Sequence, residues 1–259
     1  MLRRYGLRFT ALGYLTLLLV LPVAMVFRRA FEDGVGAAWD AVTTPEAKHA
    51  FLITIVIALI AVPANTIFGI ACAIAIVRHR FPGKGIVNAI VDLPLALSPV
   101  VVGLAFLLLF GTGGWFADLP FDVIFALPAM VLATIFVSLP FVVREVVPVL
   151  REIGTEQEQA ASTLGASSWQ TFRRVTLPAI RWAVAYGVVL TTARALGEFG
   201  AVSVVSGRIV GKTDTLTLHV EERFQSFDYV GAYAASVVLA LLAIATLVAM
   251  SVFKPKEGR

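Results

Sequence analysis

Apolar residues run unbroken far longer than a soluble fold uses, in six stretches: Phe9–Phe27, Phe51–Val77, Ile86–Phe110, Val123–Val143, Trp182–Ser206 and Tyr229–Phe253. A hydrocarbon core of about 30 Å needs about 20 residues of helix to cross it, so each stretch reads as a span. The pattern predicts an all-α polytopic membrane protein with six transmembrane helices and both termini on one side. Residues 1–50 then hold the first helix and an outward loop, 51–253 the main transmembrane domain, and 254–259 a tail. Arg3 and Arg4 precede the first stretch as they would in a secretory leader. Its core is too long for one, and no small-x-small cleavage site follows before Arg28, so it reads as a true helix.

Composition agrees with the pattern. Hydrophobic residues make up 59% of the chain and charged ones 15%, with mean hydropathy +0.88, against about 25% charged in an ordinary soluble domain. The net charge of +4 does not point to nucleic acid, because the basic residues are spread between spans and form no stripe. Their placement sets orientation. Fourteen Lys and Arg fall in the termini and in the second-to-third and fourth-to-fifth connections, against six on the other side. The positive-inside rule therefore predicts cytoplasmic termini. Cys72 is the single cysteine, so an intrachain disulfide and a cysteine metal site are excluded. The histidines His49, His79 and His219 read as scattered through loops, and neither a metal site nor a nucleophile–base set for a membrane enzyme is predicted.

The connection from Arg144 to Arg181 is too patterned for a slack loop. Glu156 and Glu158 suit the positive end of a helix that runs to Leu164. Gly165 breaks it, a second short helix spans Ala166–Val175, and Pro178 reads as its stop. Trp169, Phe172 and Val175 recur at three-residue spacing and share an apolar face flanked by Arg173 and Arg174. Prolines Pro63, Pro94, Pro99, Pro128 and Pro140 lie in or near spans, where they are expected to kink helices.

Ionisable residues inside spans are costly and are functional candidates by default. Here they are Asp92, Arg194 and Glu198. Arg194 and Glu198 stand four apart, which fits either a mutually neutralising pair or a positive group lent to a pathway. Gly197 and Gly200 allow close approach or bending beside them, and Ser206 closes the same stretch. The run Gly207-Arg208-Ile209-Val210-Gly211-Lys212-Thr213 imitates a phosphate-binding loop but has three residues between its glycines where that motif has four.

The Arg144–Arg181 connection resembles the signature of permease subunits of bacterial ATP-binding-cassette importers: Glu-Ala-Ala, three residues, Gly, nine residues, Ile, one residue, Leu-Pro. Gln159, Ala160, Ala161, Gly165, Val175, Leu177 and Pro178 occupy those positions with the spacing intact. Gln159 replaces the family's Glu, with Glu158 adjacent, and Val175 replaces Ile. The segments 92–101 and 194–221 are similar to the sulfate/thiosulfate permease group, and the first of them to molybdate permeases as well. The resemblance implies a type I importer transmembrane domain over 51–253 in a bacterial cytoplasmic (inner) membrane, with 156–178 as the coupling segment. Glu158, Gln159, Ala160, Ala161, Gly165, Trp169, Phe172, Leu177 and Pro178 would then engage an ATP-binding partner, and Asp92, Arg194, Glu198 and Ser206 would be pathway or gate candidates. It further implies a non-catalytic chain without a bound cofactor. ATP and Mg would sit on two partner ATPase subunits, beside a related T-type permease and an extracytoplasmic sulfate-binding protein. The substrate would be sulfate or thiosulfate, with molybdate, tungstate or another oxyanion as the alternative. An ion-coupled secondary carrier would instead carry inverted repeats and titratable groups in its spans; no repeat is evident here.

Overall fold

The computed structural model describes residue 10 and residues 12–253. Arg3, Arg4, Arg8, the start of the first stretch and the 254–259 tail lie outside the described residues. The helices, in chain order, are α1 (Leu12–Ala30), α2 (Val35–Val42), α3 (Pro45–Arg78), α4 (Lys84–Ala96) and α5 (Pro99–Phe110). They continue with α6 (Leu127–Glu152), α7 (Glu156–Thr163), α8 (Ser168–Leu196), α9 (Gly200–Val205), α10 (Leu216–Gln225) and α11 (Tyr229–Phe253). Among the described residues α1, α3, α6, α8 and α11 are long and apolar enough to cross a membrane, and α4 with α5 makes a sixth span if the bent pair is taken together.

Three expected boundaries move, each for a visible reason. The third stretch is two helices bent by 111°. Pro99 at the first turn of α5 disfavours helical backbone at Ser98, which is extended (ψ 135°). The fourth span runs on to Glu152, so Arg144 and Arg151 belong to a membrane helix and not to a loop. The fifth begins at Ser168 and ends at Leu196, leaving α9 as a separate short helix. Pro178 is therefore not a stop. It occupies the first turn of the α-helical part of α8, where the missing N–H costs nothing, and the expected second short helix continues into the span through a π-helical turn at Phe172–Thr176. Of the histidines only His79 lies in a loop, in extended backbone just past the end of α3: His49 is in the first turns of α3 and His219 is buried in α10.

The long helices α3, α6 and α8 make the centre, and α11 lies across α8 with α1 and α2 on it. Small residues permit this packing. A Cβ on Gly69 of α3 would meet Val142 Cβ at 2.6 Å, and one on Gly187 of α8 would meet Val142 Cα at 2.9 Å. Val142 of α6 is thus gripped from both sides. Around it Ala73, Ile76, Val91, Val143, Val146, Leu150 and Ile180 form one apolar cluster, toward the end of the bundle that carries α7. A second cluster at the other end joins Ile57, Val102, Met130, Val137, Val202 and Leu218. Between the two, Asn65 of α3 is wholly buried and donates to the Ile135 carbonyl (3.0 Å) and the Ser138 hydroxyl (2.8 Å) of α6.

Candidate functional site

The segment after α6 is clamped to the end of α3. Gly154, at φ +66°, turns the chain back, and α7 follows with Glu156 and Glu158 in its first turn. Arg78, the last residue of α3, donates to the Leu150 carbonyl (2.9 Å) and the Gly154 carbonyl (2.7 Å). Its Nε lies 2.8 Å from Glu158 Oε2. The second oxygen of Glu158 accepts from the Thr176 hydroxyl at 2.8 Å, inside the π-helical turn of α8. One carboxylate therefore ties α7 both to α3 and to the start of α8. The side chain of Gln159, the residue at the signature position, donates to the Thr155 hydroxyl (3.0 Å), so the ion pair sits one residue earlier than the signature's acidic position.

Between α7 and α8 the chain turns at Gly165 (φ +86°), and α8 opens with a reciprocal cap. The Gln170 N–H donates to the Ser167 hydroxyl (3.3 Å), and the Ser167 N–H to Gln170 Oε1 (2.9 Å). The Ser-x-x-Gln spacing held this start signal in the sequence, ahead of the apolar run that led to Trp182 as the boundary. Trp169 and Phe172 pack ring to ring at 5.4 Å, and Leu164 and Trp169 stay 88% and 67% exposed. Ala160 and Ala161 lie on α7, and Leu177 and Pro178 begin the α-helical stretch of α8. The end of the bundle thus presents a turn, two exposed apolar side chains and the cations Arg173 and Arg174, braced from behind by Glu158.

Of the other candidates, Arg194 and Glu198 lie where two helices break. The Leu97–Ser98 break packs against the one at Gly197–Phe199: a Cβ on Gly200 would meet Pro99 Cβ at 2.9 Å, and one on Gly103 would meet the Ala201 carbonyl at 2.8 Å. Arg194 and Glu198 form an ion pair at 2.6 Å, with the Glu198 side chain almost fully buried. They do not share one helix, since α8 ends at Leu196. Glu198 instead lies in the break, where Oε1 accepts from the Ala201 N–H of α9 (2.8 Å) and its carbonyl accepts from the Thr217 hydroxyl (2.8 Å). Ser206 is buried at the far end of α9, accepting from the Arg208 N–H (3.1 Å), while its carbonyl takes the Thr213 hydroxyl (2.6 Å). The phosphate-loop imitation is that same tight turn, with Thr213 directed inward. Asp92 of α4 meets Arg144 of α6: Nε donates to Oδ1 at 2.7 Å and Nη2 pairs with Oδ2. Arg78 and Arg144 were not singled out from sequence, because each stood among basic residues that fitted a loop.

Residues 65–258 match the family described as the binding-protein-dependent transport system inner membrane component. The chain belongs to that family. It is 50% identical over 259 residues, covering 98% of this chain and 94% of the relative, to the sulfate transport system permease protein CysW of Synechocystis sp.. It is 37% identical over 254 residues, covering 96% and 92%, to the sulfate transport system permease protein CysT of Escherichia coli. A crystal structure of a bacterial ABC transporter for import of the acidic polysaccharide alginate superposes with a TM-score of 0.80 at 17% identity, covering 98% of this chain and 96% of that one. The last match shows a shared fold.

Proposed function

We propose that this chain is one permease half of an ATP-driven sulfate importer. The observation that carries the substrate is 50% identity over 98% of the chain to a sulfate permease. In this reading the α7–α8 turn faces the cytoplasm, and Leu164 and Trp169 are apolar anchors for a cleft in an ATP-binding subunit. The clamp of Arg78, Glu158 and Thr176 makes that turn move as one body with α3 and α8, so a displacement of the ATPase reaches the helix break at 197–199 directly. The partners are two ATPase subunits, which hold ATP and Mg, a related T-type permease, and an extracytoplasmic sulfate-binding protein that docks on the opposite face. Arg194 offers positive potential beside the break, with Glu198 holding its place. The site is a bacterial inner membrane, and the chain itself performs no covalent chemistry.

The test is reconstitution. The chain, a T-type permease, the ATPase and the binding protein are assembled in sealed proteoliposomes, and uptake of radiolabelled sulfate is followed with and without ATP. ATP-dependent uptake that disappears when this chain is omitted is the expected result. Uptake of molybdate in preference to sulfate would move the substrate, and uptake without any ATPase would overturn the reading.

A further inference from the structure

The half of α6 nearest the coupling end has two faces of opposite character. Val142, Val143, Val146, Val147 and Leu150 are buried against α3 and α8. On the other side Arg144, Pro148 and Arg151 follow one another at i, i+4 and i+7, all exposed, with Glu152, also exposed, ending the helix on the same face. Arg144 retains 55% of its side-chain exposure even while paired with Asp92, which retains 27%. Arg151 has no ion-pair partner among the described residues. Arg144 stands eight residues from the end of α6 at Glu152, about 12 Å along the helix axis. Asp92 is equally far from the start of α4.

Lipid does not suit this face. A charge in the hydrocarbon costs at least about 2.5–3.5 kcal/mol, and such residues face a bundle interior or a water-filled cavity. Asp92 also shows what the arginine recognises. Two oxygens of one carboxylate lie along the Nε–Nη2 edge of a planar fork, the arrangement in which guanidinium binds any flat or tetrahedral oxyanion.

We propose that Arg144 and Arg151 form an anion-binding stripe on the pathway between the helix breaks and the coupling end. Asp92 is the internal counter-ion that holds Arg144 when no substrate is present. A tetrahedral oxyanion passing this level exchanges with Asp92 for the guanidinium and is handed on to Arg151. Because Asp92 competes for the same fork, the site binds weakly enough to release. The inference rests on the permease reading above and extends it to residues that reading does not use.

The test uses the complete reconstituted complex in liposomes of neutral lipid. If the wild-type complex fails to take up sulfate, the parent reading fails first. With wild-type uptake established, Arg144→Lys, which keeps the charge but loses the fork, is expected to raise the sulfate concentration for half-maximal uptake about tenfold. Arg151→Gln is expected to lower uptake at limiting sulfate. Asp92→Asn frees the fork and is expected to increase sulfate retained by the purified nucleotide-free complex. The double variant Asp92→Leu/Arg144→Leu is expected to co-purify with its partners and lose uptake. Wild-type uptake by that double variant would show the pair to be a mere brace between α4 and α6, and would overturn the proposal. So would wild-type sulfate dependence in Arg144→Lys. Uptake defects that appear only with anionic lipid present would make the stripe a headgroup site and would equally overturn it.

Discussion

Replacing Arg78 by Ala removes the clamp at the coupling end. The guanidinium donates to the Leu150 and Gly154 carbonyls (2.9 and 2.7 Å) and to Glu158 Oε1 (3.2 Å), with its Nε 2.8 Å from Oε2 and only 11% of its side chain exposed. A charge-assisted hydrogen bond contributes about 1.5–3 kcal/mol, but Glu158 is 20% exposed and water can replace part of what is lost. A net cost of about 3 kcal/mol to the docked position of α7 is therefore expected, equivalent to roughly a hundredfold shift toward an undocked segment. Glu158→Gln keeps an acceptor for Thr176 and gives up only the charge, so about 1–2 kcal/mol and about tenfold are expected. The assay is hydrogen–deuterium exchange of amides 156–176 in the assembled complex, read beside substrate-stimulated ATP hydrolysis. Exchange is expected to rise in the order wild type, Glu158→Gln, Arg78→Ala, with stimulation falling in step. Unchanged exchange and stimulation in Arg78→Ala would refute the clamp.

Three further outcomes follow from the packing. Gly187→Leu places a side chain on the Val142 backbone, where a Cβ alone would already lie 2.9 Å from Cα; thermal denaturation in detergent should show a loss of at least about 1–3 kcal/mol, and wild-type stability would contradict the α6–α8 contact. Gly165 has open space around it but φ +86°, so Gly165→Val should impair stimulated ATP hydrolysis much more than Gly165→Asn, since left-handed backbone costs other residues about 1–2 kcal/mol; equal effects would point to contact with a partner in place of backbone strain. Asn65→Leu leaves the Ser138 hydroxyl without its buried donor and should lower stability by about 1–3 kcal/mol, visible as a reduced melting temperature of the purified chain.

The spans were legible because their signal is bulk hydropathy, which reports length and little else. It could not see that the apolar run 182–206 contains a helix end at Leu196, since Gly197 and Phe199 are as compatible with a continuous span as with a break. Nor could it see that helix continues before Trp182, where polar Ser168–Arg174 forms the first turns of α8. Pro178 illustrates the same limit: a proline both ends helices and begins them, and only the cap at Ser167 decides which. The signature residues were found by spacing, yet the ion pair falls on Glu158 because its partner, Arg78, comes from a helix 80 residues away in sequence. Asp92 was visible as a charge in a span. Arg144 was not, for it directly follows the apolar stretch that ends at Val143 and reads as the start of a polar connection until the buried face of α6 is known.

The most direct test of the coupling segment is where the α7–α8 turn lies and what it touches. A single cysteine introduced as Ala166→Cys in a Cys72→Ser chain, assembled with its partners in sealed vesicles, can be probed with a membrane-impermeant thiol reagent and with a short bifunctional cross-linker. The account predicts labelling only from the face that carries the ATPase, and a cross-link to the ATP-binding subunit whose yield changes when nucleotide is added. Labelling from the opposite face, or the absence of any cross-link in a complex that hydrolyses ATP, would contradict it.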